Sequence, residues 1–170
     1  MIAYHDGEWL DEGDVRVPVR DAAFQSGHGV FESVRLHRGR YFRMDAHLDR
    51  LAGSAELVRI ALPPADELAA ILHELARRSA LDEASARLTV TAGAPGGMPS
   101  VIATIAAIPA GWRERAARGW RVVTARTRHP DPATLPPALK SLGRVYSVLA
   151  RQEARDAGVD DVLMLLPDGT

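Results

Sequence analysis

A chain of 170 residues suits one ordinary domain, or a small domain with part of another, and can bury a core without staples. Apolar residues make up 46% and charged residues 25%, and a formal net charge of −1 gives no bulk attraction to nucleic acid or an anionic membrane. There is no cysteine, which excludes a disulfide framework, a thiolate zinc site and a cysteine nucleophile. Residues 1–10 lack the apolar run of a signal peptide and no stretch approaches a membrane span, so the expected setting is the cytoplasm.

Taken in chain order, Ile2 to Leu10 predicts strand–turn–strand around Asp6-Gly7, and Val15 to Val19 a short strand or extended loop. Phe24 to Gly29 reads as a glycine-bearing loop. Val30 to His37 alternates, with Val30, Glu32, Val34 and Leu36 on one face and Phe31, Ser33 and Arg35 on the other; Arg38-Gly39 then turns Arg40 to Arg43 back as a hairpin. Asp45 is the expected N-cap of a helix to about Arg59, with Leu48, Leu51, Ala55 and Val58 at helical spacing. Pro63-Pro64 breaks it, and a second helix is expected from Ala65 to Ser79, its apolar face Leu68, Ile71, Leu72 and Leu75 and its last turn basic at Arg77 and Arg78. Arg87 to Thr91 and Val101 to Ile108 read as strands split by the flexible stretch from Gly93 to Gly97.

Pro109 to Gly119 reads as a linker or edge, and Trp120 to Ala125 as a strand. The segment from His129 to Pro137 is stiffened by Pro130, Pro132, Pro136 and Pro137. A third helix is expected from Ser141 to Ala157, closed by Gly158, and a strand from Val162 to Leu166 before the turn pair Asp168-Gly169. That last strand has no returning partner, which reads as an unfinished hairpin and predicts a native protein that continues past Thr170. The whole predicts an α+β chain: a small domain over residues 1–112 and the start of a larger one over 119–170.

Of 21 basic residues, 20 are arginine and one is lysine, Lys140. Arginine stays protonated and is no amine nucleophile, whereas lysine can lose its proton and form a Schiff base, so a lone lysine suggests work a guanidinium cannot do. Lys140 follows the stiff Pro136-Pro137 and precedes a helix start, where a cation opposes the helix dipole and an exposed charge has little reason to sit. Arg50, off the apolar face of its helix, has the planar fork of donors that suits phosphate, although solvation is the ordinary fate of a helix arginine. Glu32 and Arg35 fall on opposite faces of one strand; either can pair locally, and a surface charge is the plain expectation for both. The six histidines show no metal-ligand spacing on a common face, so no metal is expected. Gly27 and Gly29 form only G-x-G, and there is no G-x-S-x-G elbow, which leaves dinucleotide binding and serine hydrolysis without support.

Four segments, in order, resemble fold-type IV pyridoxal-phosphate (PLP) enzymes, the class IV family of branched-chain and D-amino-acid aminotransferases and aminodeoxychorismate lyase. They are Asp21–Phe24 through Gly27–Glu32, similar to a family strand ending G-V-F/Y-E; Phe42–Leu51, similar to its H-x-x-R-L helix; Leu139–Leu142 with Val148–Ala154, similar to its lysine segment; and Asp161–Leu165 leading to Asp168-Gly169. The resemblance implies a fold-type IV α+β fold and PLP held by Lys140 as a Schiff base, with Lys140 also moving the substrate proton. It further implies phosphate binding by Arg50, Phe31 and Glu32 near the substrate, Tyr146 reaching the cofactor ring, and a homodimer acting on an amino acid and a 2-oxo acid. The acidic partner of the pyridine nitrogen and further phosphate loops follow later in the family, beyond Thr170. Two alternatives stand beside transamination. One is the lyase giving 4-aminobenzoate and pyruvate, because Gly143-Arg144 is similar to that branch's N-R. The other is a non-catalytic fragment.

Overall fold

A computed structural model describes all 170 residues. The chain forms two compact units: Met1–Ile108 with Ala138–Gly143, and Pro109–Pro137 with Arg144–Thr170. Residues 138–143 therefore pack with the first unit although they follow residue 119 in the chain.

The first unit is an antiparallel sheet with helices on one face. Its strands are β1 (Ile2–His5), β2 (Glu8–Asp11), β3 (Gly29–His37), β4 (Arg40–Tyr41), β5 (Glu83–Thr91) and β6 (Ser100–Ala107), in the spatial order β2-β1-β6-β5-β3-β4. The central ladder pairs all of β3 with β5, from Gly29 opposite Thr91 to His37 opposite Glu83. Side chains alternate across it. Val30, Glu32, Val34 and Leu36 face α2 (Met44–Leu57) and α3 (Ala65–Ser79), joined by Ala84, Ala86, Leu88 and Val90 of β5 and Ala103 and Ile105 of β6. The helices supply Leu48, Leu51, Leu68, Leu72 and Leu75, all buried, and the Tyr41 hydroxyl donates to the Leu72 carbonyl at 2.8 Å. The opposite face carries Ser33, Arg35, Ser85 and Arg87, polar residues that remain wholly or partly accessible.

Several boundaries differ from the sequence reading. Residues 24–29 do not form a plain loop: Ala22–Ser26 is a short helix, α1, capped by the Asp21 carboxylate on the Ala23 amide at 2.7 Å and ended by Gly27 at φ +70°. Val15 to Val19 is an irregular connection. Asp45 lies in the first turn of α2, and the N-cap is Arg43, left-handed at φ +50° and without a side-chain cap bond.

In the second unit, residues expected as linker form α4 (Trp112–Arg118), a two-turn helix with no buried residue. Two short parallel strands, β7 (Val122–Thr124) and β8 (Asp161–Leu163), flank α5 (Val145–Asp156) in chain order. The third helix thus starts four residues later than expected. Glu153 of α5 accepts from the Arg126 and Thr127 amides and the Thr127 hydroxyl, which hold its carboxyl down to about 2. No helix is long and apolar enough to cross a membrane.

Candidate active site

Lys140 stands at the edge of the six-stranded sheet. Beyond the short β4, the start of β3 has no strand on its outer side, and residues 140–142 take that place. The Phe31 amide donates to the Lys140 carbonyl at 3.0 Å, the Leu142 amide donates to the Gly29 carbonyl at 2.9 Å, and Ser141 bridges Val30 in antiparallel sense. This pairing is why no helix begins at Ser141: these residues are extended to satisfy a sheet edge. Two glycines make room. A Cβ on Gly27 would meet the Gly143 Cα at 2.8 Å, and one on Gly29 would meet a Leu142 methyl at 2.5 Å. From the helix side, the buried Ser54 hydroxyl of α2 accepts the Lys140 amide at 3.2 Å, and Leu139 packs on the core. Two hydrogen bonds thus hold the backbone of the lone lysine itself, and its neighbours Leu139 and Leu142 are fixed on either side.

Its side chain is half-buried and lies over the Phe31 ring, with Nζ 4.8 Å from the centroid. Arg87, from the next strand, stacks on the same ring with its guanidinium carbon at 3.8 Å. Two cations on one aromatic ring are attracted by its quadrupole and take fixed directions from it. Sequence reasoning misses Arg87 as a site residue. Its only signal there is an arginine on the polar face of a strand, and the pairing that brings it beside Phe31 comes from the β3–β5 register.

On the helix side of β3, Glu32 is fully buried, not a surface charge. Its Oε1 accepts from Arg50 Nε at 2.6 Å, and its Oε2 accepts from Arg50 Nη2 at 2.8 Å and His47 Nδ1 at 2.9 Å. Burial pushes the Glu32 carboxyl up. The hydrogen bonds from Arg50 and His47, with the charges of Arg50 and Lys140, outweigh that and leave it below the ordinary glutamate value. The same pairing raises Arg50. An ionised carboxylate cannot donate, so His47 Nδ1 carries the proton of that contact. The Arg50 side chain remains 47% exposed beyond the pair. Arg35, on the other face, pairs with Glu83, which His37 also meets at 2.5 Å.

Of the sequence-predicted site residues, Lys140, Phe31, Glu32 and Arg50 come together in the first unit. Tyr146 belongs to the second, on α5, where its ring meets His129 edge-on at 5.1 Å and Arg144 at 5.9 Å. There is no cluster of acidic residues and histidines able to hold a metal.

The class IV aminotransferase model covers residues 29–170, the stretch that holds the fixed lysine and the buried Glu–Arg–His network, and the chain belongs to that family. A putative branched-chain-amino-acid aminotransferase of Methanocaldococcus jannaschii is 34% identical over 174 residues, which is 97% of this chain and 59% of the relative. The branched-chain aminotransferase of Thermoproteus uzoniensis, solved with norvaline, superimposes with a TM-score of 0.88 at 26% identity, over 99% of this chain and 61% of its own. A hypothetical aminotransferase of Mycobacterium tuberculosis, solved in a PLP-bound form, gives 0.85 at 27% identity, over 99% of this chain and 63% of its own. The fold is thus that of the fold-type IV aminotransferases, and the chain spans about three fifths of the length of these proteins.

Proposed function

We propose that the chain is the part of a PLP-dependent aminotransferase that carries the cofactor lysine, acting on an amino acid and a 2-oxo acid. The observation that carries this reading is Lys140, the single lysine of the sequence, fixed by backbone bonds to β3 and by Ser54 and directed over Phe31. The residues present fit the cofactor. Lys140 offers one oriented amine, and Arg50 offers a half-exposed guanidinium whose remaining donors suit a phosphate ester.

When bound, PLP supplies the electron sink that lets the α-C–H bond of an amino acid break. Lys140 would hold the cofactor and, once the substrate's amino group has displaced its Nζ, would use that free amine to move the α-carbon proton. A fixed backbone confines Nζ to a small region, so the transfer needs little reorganisation. Phe31 closes one side of that region to water and orients the ammonium through its ring. Arg87 stacks on the same ring and helps fix its direction. Glu32 meets the site through Arg50 and His47, since both of its oxygens are engaged there. Tyr146 is assigned to the cofactor ring on the family resemblance. The assembly is a homodimer in this reading and its compartment the cytoplasm. Branched-chain relatives matched over nearly the whole chain favour an aliphatic amino acid as donor.

The test is reductive trapping. The chain is incubated with PLP, reduced with borohydride and mapped by peptide mass spectrometry. The expected result is a phosphopyridoxyl group on Lys140 at low PLP, absent from Lys140→Ala. Absence of the group from Lys140 both in this chain and in one extended to the length of its relatives rejects the reading.

A further inference from the structure

We propose that Glu32 is a positioning residue for Arg50: its buried carboxylate, steadied by His47, fixes the guanidinium so that its outward N–H groups form a rigid fork for the phosphate ester of the cofactor. This rests on the PLP reading above and assigns a source to its phosphate selectivity.

The sequence position is the first argument. Glu32 occupies the row of Val30, Val34 and Leu36, where the core needs only an apolar side chain. A carboxylate in that row is justified by what it holds. The geometry is the second. Arg50 and His47 lie three residues apart on one face of α2, so both reach the same carboxylate. Arg50 uses Nε and one Nη2 hydrogen in a two-pronged pair at 2.6 and 2.8 Å, which defines the plane of the guanidinium as well as its place. Three of its five N–H groups lie outside that pair, on the half-exposed end of the side chain. His47 Nδ1, donating to the same Oε2, keeps the carboxylate from turning away.

Electrostatics is the third. An arginine fully neutralised by one carboxylate would attract an anion weakly. The Glu32 charge lies against both Arg50 and the nearby Lys140, so two cations face one carboxylate and the group as a whole keeps cationic character. An unheld arginine on a helix surface would sample many rotamers and lose much of its freedom on meeting phosphate. Here that freedom is already gone in the folded chain.

The experiment compares trapping at Lys140 by PLP with trapping by 5′-deoxypyridoxal, the same aldehyde without the phosphate ester, in the whole chain and its variants. The readout is the ratio of the two half-saturating concentrations. Any effect on Lys140 itself acts on both aldehydes and cancels. In Glu32→Gln the PLP value is expected to rise roughly 10- to 100-fold, the range for losing an outer partner that orients a ligand-holding group, with the deoxypyridoxal value unchanged. Arg50→Gln is expected to do the same, and the double variant no more than either single one, because the two act as one unit.

An equal loss for both aldehydes in Glu32→Gln makes Glu32 merely structural and overturns the proposal. So does an unchanged ratio of the PLP to the deoxypyridoxal value in Glu32→Gln beside a raised one in Arg50→Gln. If circular dichroism shows that Glu32→Gln does not fold, Glu32→Asp, which keeps the charge but withdraws it by one methylene, takes its place, and an unchanged ratio there is equally adverse. A parent chain that takes neither aldehyde at Lys140, at this length or at that of its relatives, removes the PLP reading itself. A parent that takes both but gains nothing from the phosphate, and is indifferent to Arg50→Gln, leaves that reading standing and overturns this inference.

Discussion

Three donors meet the Glu32 carboxylate, and two come from a single arginine. Removing that arginine leaves a buried charge with one histidine partner, so Arg50→Ala is expected to lower stability at pH 7 by about 1–3 kcal/mol, the range for stranding a buried acceptor. The sign of its pH dependence follows from the depressed carboxyl. A folded-state value below the unfolded one stabilises the fold fully above the ordinary glutamate value of 4.5 and loses that stabilisation as pH falls through the folded value. Urea midpoints at pH 7 and at about pH 3 should therefore show the gap between the parent and Arg50→Ala narrowing in acid. At this scale the sequence is informative where a residue type is rare. Lys140 stands out by count alone, and Arg50 by its place off an apolar face. The burial of Glu32 is not visible in that way. Its strand position argues for the core and its charge for water, and only the neighbouring helix, which brings Arg50 and His47 over it, resolves the conflict.

Helices and strands with strong periodicity match the sequence reading closely. α3 begins and ends at Ala65 and Ser79 as expected, because its apolar stripe, the prolines before it and the basic last turn all agree. The β1–β2 hairpin follows from Asp6-Gly7, both at positive φ. Elements without such agreement are misplaced. α4 buries nothing, so it has no apolar stripe to detect. α2 starts without a side-chain cap, which draws attention to Asp45, two residues too late. Ser141 and Leu142, expected to open a helix, are drawn into pairing with β3, a tertiary demand that local spacing cannot reveal, and Gly143 is itself a poor helix former. The end of α3 offers a direct check on this kind of local accounting. Its C-cap, Ala80, is exposed and left-handed at φ +53°, a conformation that strains any residue with a Cβ. Ala80→Gly is expected to stabilise the chain by about 1 kcal/mol and to raise Tm by roughly 2–4 °C, measured by thermal unfolding.

Across the whole chain, class IV membership follows from the match over residues 29–170, and the site residues of the first unit come from four stretches of sequence, Arg87 of β5 among them. β3 supplies Phe31 and Glu32, α2 supplies His47, Arg50 and Ser54, and the lysine segment arrives more than a hundred residues after β3. That arrival does more than deliver an amine. The outer side of residues 29–31 would otherwise present unpaired backbone groups, and such an edge templates association between chains. Lys140, Ser141 and Leu142 cover it. Gly27→Ala tests the connection: its φ of +70° strains the new residue by about 1–2 kcal/mol, and its Cβ presses on Gly143. The variant is expected to scatter light and bind thioflavin at concentrations where the parent stays clear, while equal clarity would separate the lysine segment from edge protection. The stretch bearing the reactive amine then doubles as a guard strand, so sequence drift there would be restrained by solubility even in a descendant that had abandoned its chemistry.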